Sequence, residues 1–552
     1  KIRKSYMNNI FNNLTTSLSE EFKKFELDEA IQLSMSKIAG YDLQINNLVK
    51  YNKSDFFDVL QENVIETINS SNIFLPVEKN DMGFLNLSLN HIYLMKNITN
   101  TQSDFENEQS NKIIFDYGGP NIGKPLHVGH MRTLNIGRSL YNIHSFIGNE
   151  VVSDIHLGDW GMPIAQIITY LEKEKIDIQS LDSSQLEVIY PKASEEYKQN
   201  NEFKTRAQEI NKLLNNNDQE LLKMWESIKE ISIQSLKENF EIFGHSFDYW
   251  LGESDVNNLI PKMIEELLKD EKIIYDDGAL ISAEDTDPKI LITKSDGSYL
   301  YITTDLATIL FRQKNIGYDK TFYIVDNRQS LHFEQLFSSI KYFEFNNLEH
   351  EHISYGTLND SDGNPFKTRE GGTKPLSELF KETYEYIEKI NNDLDESIVS
   401  QLTNSVLTYS DLITNRKTDY KFDLEKFTNV NGKTGIYVQY SQVRAKKLLE
   451  NITTKNSELN NLILNDVDKE LLSKLYLFTY FLEQSAVLNE PHHLANYLYE
   501  ISNLFNQFYE SEKISEIEDS DQLSSKMYIT NLFLTTSQNV MWCLGITPAN
   551  QM

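Results

Sequence analysis

The sequence predicts a multidomain α/β protein, with a parallel-sheet unit in the middle, a small α/β unit before it and an all-α unit after it. Three observations predict this. Apolar runs of strand length alternate with segments of helical spacing from Ile113 onward. The preceding stretch mixes helical periodicity with one alternating strand, and beyond Pro375 the spacing is almost wholly helical.

Bulk properties bound the function. At 552 residues, 40% of them hydrophobic and 11% aromatic, the chain can build several cores, and wholesale disorder is excluded. A single cysteine, Cys543, excludes an internal disulfide and a Cys-rich zinc module, and points to a reducing cytoplasm. No apolar run reaches membrane length, no charged-then-apolar leader follows Lys1, and a start on Lys1 rather than Met fits an N-terminal trim. The net charge of -30 excludes indiscriminate nucleic-acid binding, yet leaves room for a shaped RNA site built from a few cations. Its salt dependence is expected to be modest.

In the first unit, Phe11 to Phe25 and Phe56 to Ile68 have helical spacing, and Met82 to Leu87 alternates like an edge strand. The polar stretch Asn97 to Asn111 has a linker's composition, which puts a boundary near residue 105. The core of the argument follows. Ile113-Ile114-Phe115 reads as a strand, Gly118-Gly119-Pro120-Asn121 as a turn, and the next residues as a helix running to a Gly148 cap. His127 and His130 are three apart across Gly129, so they are expected on one face of the first helical turns, beside N–H groups that favour an anion. Gly129 would let a flat ring or a phosphate approach the backbone. A metal pair is the rival reading, but no third ligand is near; two solvated histidines are the plainer one. Val151 to Ile155 is the next strand, which makes a β-α-β unit of Rossmann-like type. Trp160, in LGDWG, reads as core packing as readily as a site residue.

Glu172 to about Pro288 is charged and helical, an insertion between two halves of the sheet. Tyr299 to Asp305 is β-rich and is expected to end on Asp305 as the cap of the next helix. Thr321 to Val325 and His352 to Gly356 read as further strands. Ligands of such sheets gather where strands end and the winding order switches. At those ends stand Asp116, Tyr301 and Asp305, with Gln329 after the later strand. Two carboxylates and a phenol suit a planar guanidinium; the alternative is that Asp305 is only a cap and Tyr301 only core. In the loop Asp362 to Gly372, DGNPFKTREGG, the glycines permit a mobile turn, and Lys367 and Arg369 offer cations to close over polyphosphate. Such cations in a loop are otherwise solvated surface. Further on, Gly432 to Glu450 buries Ile436, Tyr437, Tyr440, Val443 and Leu448, leaving Gln439, Arg444, Lys446 and Lys447 as a polar, basic face for phosphate contact and base stacking, or simply for solvent.

The run PNIGKPLHVGHMR resembles the signature of class I aminoacyl-tRNA synthetases in its arginyl form, S-x-P-N-x-A-K-x-x-H-x-G-H-x-R. Pro120, Asn121, Lys124, His127, Gly129, His130 and Arg132 fit, while Gly118 and Gly123 stand where Ser and Ala are usual. LGDWG, DLITNRKTDYKFD, GKTGIYVQYSQVRAKKLLE, EPHHLANYLYEISNLFNQFYE and LGITPANQM follow in the family's order. Gly40 to Asn47 and Gly83 to Asn86 are similar to parts of the domain that contacts the tRNA elbow.

The resemblance implies an arginine–tRNA ligase, which makes arginyl-adenylate from L-arginine and ATP and transfers the arginyl group to tRNA(Arg). It implies a tRNA-contacting domain over 1–105, a class I catalytic domain over 106–375 with the helical insertion at about 172–288, a connecting region over 376–430 and a helical anticodon-binding domain over 431–552. His127, His130, Lys124, Lys367 and Arg369 are its implied catalytic residues. ATP is implied at His127, Gly129, His130 and Lys367, with Mg²⁺ on the polyphosphate, and arginine at Asp116, Asn121, Tyr301, Asp305 and Gln329. A cytoplasmic monomer that activates arginine only with tRNA bound is the further expectation. The Lys367 loop departs from the family's usual Lys-Met-Ser form and lacks its later lysine, which implies that Lys124 compensates. A synthetase-like tRNA-binding or regulatory protein without turnover, or a nucleotidyltransferase acting on another acceptor, are the competing classes.

Overall fold

The computed structural model describes residues 9–29, 31–105, 110–284, 286, 288–295, 297–366, 374–390, 393–452 and 461–552. At the N-terminus, α1 (Asn9–Lys23) and α2 (Phe57–Ser71) share a core with an antiparallel sheet of β1 (Leu33–Met35), β2 (Leu43–Ile45) and β3 (Leu85–Leu87). Leu14, Leu18 and Phe22 recur every four residues on α1 and meet Leu60, Val64 and Ile68 of α2, as helical spacing dictates. β3 lies at the sheet's edge. After α3 (His91–Met95) the polar stretch is not a free tether where it is described. Asn100, in the left-handed region at φ 56°, is buried and donates to Leu475 O and Thr536 Oγ1, both at 2.8 Å. Asn side chains tolerate that backbone and satisfy buried carbonyls, so a linker-like composition here marks an anchored crossing. Residues 106–109 of that stretch lie outside the described ones.

The central unit begins with β4 (Lys112–Tyr117), α4 (Gly129–Phe146) and β5 (Glu150–Asp154). Next, α5 (Met162–Glu174), α6 (Ser183–Gln199), α7 (Asn201–Asn215) and α8 (Gln219–Ile242) form the insertion around a separate core that includes Ile167, Ile168, Ile210 and Ile228. Tyr249 and Gly252 then bridge Asp154 and Leu157 in parallel, bringing the chain back beside β5. α9 (Glu253–Val256) and α10 (Ile260–Lys269) lead to a small antiparallel sheet, β6 (Ile273–Asp276), β7 (Ala279–Ser282) and β8 (Leu291–Thr293). α11 (Tyr301–Asn315), β9 (Lys320–Ile324), α12 (Ser330–Tyr342) and β10 (Glu349–His352) complete the unit. The main sheet runs β10-β9-β4-β5, parallel throughout, so its winding order switches between β4 and β9. The crevice beyond Tyr117 and Ile324 is where such a sheet binds its ligand.

Two sequence expectations are corrected. Tyr301 to Asp305 is the first turn and a half of α11, not a strand end. Its β-branched Ile302-Thr303-Thr304 mimics a strand, but Thr303 Oγ1 donates to Ile292 O at 2.6 Å and pins the helical turn. The last strand lies at Glu349–His352 rather than over His352 to Gly356, because this edge strand, EHEH, is half-exposed and carries no apolar signal.

β11 (Leu358–Asn359) pairs in parallel with β12 (Tyr420–Lys421) across the helices α13 (Leu376–Ile390) and α14 (Glu396–Leu412). α15 (Leu424–Phe427) precedes the helical unit of α16 (Gly435–Asn451), α17 (Asp466–Tyr476), α18 (Phe478–Leu488), α19 (His492–Ser511) and α20 (Ser520–Leu544). Phe505 and Phe533 stack at 4.1 Å in its core. On α16 the expected basic face is narrower than the sequence suggests. Gln439 is buried and donates to Ser405 Oγ and Thr547 O, while Arg444 lies between the rings of Tyr440 and Tyr509, each 4.6 Å from its guanidinium carbon.

Candidate active site

One cavity of about 1120 Å³ opens at the switch point. Asp116, Asn121, His127, Gly129, His130, Tyr301, Asp305 and Gln329 all line it. Lys124 does not: its ammonium sits 4.8 Å over the Tyr190 ring of α6, in a smaller cleft behind the same loop. Lys367 and Arg369 lie outside the described residues; Pro365 and Phe366 bring their loop to the cavity rim.

The histidine pair is built differently from the expected helix face. His127 precedes α4, which starts at Gly129, and its ring folds back over that glycine so that a Cβ there would meet its Cε1 at 2.8 Å. Gly129 therefore makes room for the protein's own imidazole. Gly129 N–H donates to His127 Nδ1 and His127 N–H donates to His130 Nδ1, both at 3.1 Å. A ring nitrogen that accepts carries no proton, so both neutral imidazoles hold theirs on Nε2. Burial, followed by the neighbouring His127, pushes His130 down to about 3; burial followed by Lys124 and Arg328 also lowers His127. The site thus presents neutral N–H donors, their rings 4.0 Å apart, at the mouth of a helix N-terminus.

The opposite wall is acidic. Tyr301 and Asp305 share one face of α11, Tyr301 three-quarters exposed, and Asp305 accepts from His332 Nε2 at 2.6 Å. That bond raises the His332 pKa. Asp116 Oδ2 is engaged by Arg312, which reaches Asp116 at 2.6 Å and the buried Asp154 at 2.7 Å. Held between two carboxylates, Arg312 remains firmly charged. Glu253, the first residue of α9, lines the same wall, and burial pushes it up to about 7, the carboxylates of Asp159 and Asp305 adding to the effect.

Sequence reasoning missed Glu253, Arg312, His332 and Arg328, all of which line the cavity. Arg312 follows Asp305 by seven residues, two turns of one helix, which a helical reading of that run would have exposed. Glu253 was hidden in a segment read as solvated. Arg328 forms a two-pronged pair with Asp326, at 2.8 and 2.9 Å, on the rim.

The neighbouring motif residues hold the frame. A side chain at Gly158 of LGDWG would collide with the Asn121 amide, and Asp159, buried, takes Ser254 N–H at 2.9 Å and Lys229 at 2.6 Å. Trp160 packs edge-on against Trp225 in the insertion core rather than lining the cavity. Arg132, also buried, reaches Asp411 at 2.9 Å and the carbonyls of Gly356 and Thr418.

A parallel sheet whose switch point carries such a His-x-Gly-His pair, followed by a helical domain, defines a class I aminoacyl-tRNA synthetase. A family profile described as tRNA synthetases class I (R), catalytic domain, matches residues 92–424, and one described as DALR anticodon binding domain matches 438–552. The chain is 33% identical to the arginine–tRNA ligase of Francisella tularensis subsp. novicida (strain U112), over 93% of this chain and 94% of that protein. It is 34% identical to the arginine–tRNA ligase of Agathobacter rectalis, over 90% and 94%. Among solved structures, the Thermus thermophilus arginyl-tRNA synthetase shares the fold with a TM-score of 0.84 at 16% identity, over 98% of this chain and all 100% of that one. The Plasmodium falciparum enzyme does so at 0.79 and 22%, over 99% and 100%. The chain belongs to the arginyl-tRNA synthetase family.

Proposed function

We propose that this member of the family ligates arginine to tRNA(Arg) at the expense of ATP, with the following division of labour in the cavity. The arginine carboxylate attacks the ATP α-phosphate in line, giving arginyl-adenylate and pyrophosphate; the terminal ribose hydroxyl of the tRNA then displaces AMP. Such chemistry needs positioning and charge stabilisation more than covalent catalysis. The Nε2–H groups of His127 and His130 donate to the pentavalent phosphate. Being neutral, they add hydrogen bonds without depending on protonation near pH 7. Lys124 swings from Tyr190 to the polyphosphate, joined by Lys367 and Arg369. Gly129 leaves the adenine side open apart from the His127 ring.

The guanidinium lies between Asp305 and Glu253, with Tyr301 beside it; Asn121 and Gln329 take the backbone end of arginine. Asp116 contributes to this wall with one oxygen already held by Arg312. Mg²⁺ accompanies ATP as its counter-ion, held by polyphosphate oxygens and water as this hard cation prefers. Residues 1–105 and 431–552 hold the tRNA, around the catalytic residues 106–375 and the connection 376–430. On α16 and α19 the Tyr440–Arg444–Tyr509 stack supplies an aromatic and cationic platform of the kind that bases stack on. The working unit in this reading is the monomer, and the one cysteine, buried and free, suits the cytoplasm.

The observation that supports this reading most is the polarity of the cavity: neutral N–H donors at a helix N-terminus on one wall, carboxylates on the other. Arginine-dependent ATP–pyrophosphate exchange, with and without tRNA, tests it. Exchange only with tRNA present is expected; none in either condition favours a binding protein without turnover.

A further inference from the structure

We infer that Glu490, His492 and His493 form a site for one divalent transition-metal ion where the helical domain meets the nucleotide-binding sheet. α18 ends at Leu488, Asn489 turns the chain in the left-handed region at φ 52°, and Glu490-Pro491 lead directly into α19. One ligand atom from each of the three side chains lies within 4.8 Å of the others. His493 Nε2 is 3.4 Å and His492 Nδ1 3.9 Å from the same Glu490 oxygen, and the two rings are 4.1 Å apart.

Both of those nitrogens are buried without a hydrogen-bond partner. Buried polar atoms are ordinarily satisfied, so two orphans aimed at one carboxylate call for a partner between them. Their separations match those of ligands around an ion with bonds of roughly 2.0–2.2 Å. Two imidazoles and one carboxylate suit zinc, cobalt or nickel better than calcium or magnesium, with water completing a tetrahedron.

The neighbouring cations leave the site usable. Lys417 takes the other carboxylate oxygen of Glu490 at 2.8 Å and is itself largely exposed, free to swing into water. Arg416 is spent on the carbonyls of Asn489 and Ser354. The turn at Asn489 also meets His144 of α4 at 3.3 Å and Glu351 of β10 at 3.2 Å. An ion here would therefore stiffen the segment that joins the helical domain to the signature helix, away from the ATP cavity.

Titration of the full chain with Co²⁺, read by the visible absorption of the four-coordinate ion, tests the site, with thermal unfolding in Zn²⁺ alongside. One equivalent should bind, the band should vanish in His493→Gln, and Zn²⁺ should raise the unfolding temperature of the parent but not of His493→Gln. At a hundred times its Kd the ion shifts the folded-to-unfolded ratio about 100-fold. Lys417→Ala, an exposed change that spares the fold, should bind the ion as tightly or more tightly because it removes the competitor for Glu490. A parent without the band, a band undiminished in His493→Gln, or weaker binding in Lys417→Ala overturns the proposal.

Discussion

Arginine binding should release a proton, and its affinity should fall as the pH drops below neutrality. The cause is Glu253, which burial holds at about 7, well above the ordinary 4.5, beside the carboxylates of Asp159 and Asp305. A guanidinium favours the ionised form, so binding must first remove the proton where Glu253 carries one. The dissociation constant scales with the inverse of the ionised fraction: about twofold weaker at pH 7 than at high pH, and about tenfold weaker at pH 6 than at pH 8, or about 1.4 kcal/mol. In the empty protein the sign for stability runs the other way. A raised pKa stabilises fully below 4.5 and loses its contribution as the pH climbs to about 7, at most about 3 kcal/mol, which the bound cation recovers. Calorimetric titration with arginine in buffers of different ionisation enthalpy measures both quantities, with about half a proton released per arginine at pH 7. His332 complicates the profile, since its bond to Asp305 raises its pKa and its protonation also repels arginine at low pH. Glu253→Gln separates the two. It should bind more weakly at pH 8 and keep only the shallower slope due to His332. An affinity constant from pH 6 to 8 in the parent, or an unchanged slope in Glu253→Gln, refutes the reasoning.

Other perturbations probe the remaining walls. Asp305→Asn should raise the KM for arginine about 100-fold and erode discrimination against lysine, measured by pyrophosphate exchange, because it removes a charge-assisted acceptor of the planar fork. Lys124→Ala should slow activation by about 10²-fold with the fold intact; activation as fast as the parent's would show that the lysine over Tyr190 never reaches the phosphates. Arg312→Met leaves Asp116 and Asp154 facing one another unpaired and should cost about 3–5 kcal/mol in denaturant unfolding. Binding of tRNA should weaken only modestly between low and physiological salt, as suits a chain of net charge -30 with few phosphate-contacting cations; a steep slope would indicate a large basic footprint.

The β-α-β start was legible because Ile113 to Phe115 is an apolar run on the central strand β4, Val151-Val152 opens β5 beside it, and the helix between them keeps one periodicity. β10 was misplaced for the opposite reason, since an edge strand reading EHEH has no such pattern. Asp305 and Tyr301 were legible by type and spacing even though their helix was read as a strand, because a separation of four says which residues share a face once the period is known. Glu253 was not legible. Its chemistry arises from burial against residues about fifty and a hundred positions away, and no local pattern carries that.

The motif letters themselves divide into two kinds, and only the fold tells them apart. His127, His130 and Asn121 line the cavity, while Arg132, two residues after the pair and also on its lining, spends its guanidinium on Asp411 and on carbonyls of Gly356 and Thr418. Arg416, in the run DLITNRKTDYKFD, is likewise buried against Asn489 and Ser354. Each guanidinium ties separate segments together, Arg132 through three partners and Arg416 through two, because its planar donors fix direction as well as distance. Burying such a charge is costly, and Arg132 Nη2 has no hydrogen-bond partner among the described residues, so Arg132 holds α4 in one register against α14 and the segments at Gly356 and Thr418 instead of adding net stability. That register sets where His127 and His130 stand relative to Asp305. Replacing Arg132 by lysine would keep the charge and lose the fork, so the expected damage is to turnover more than to folding.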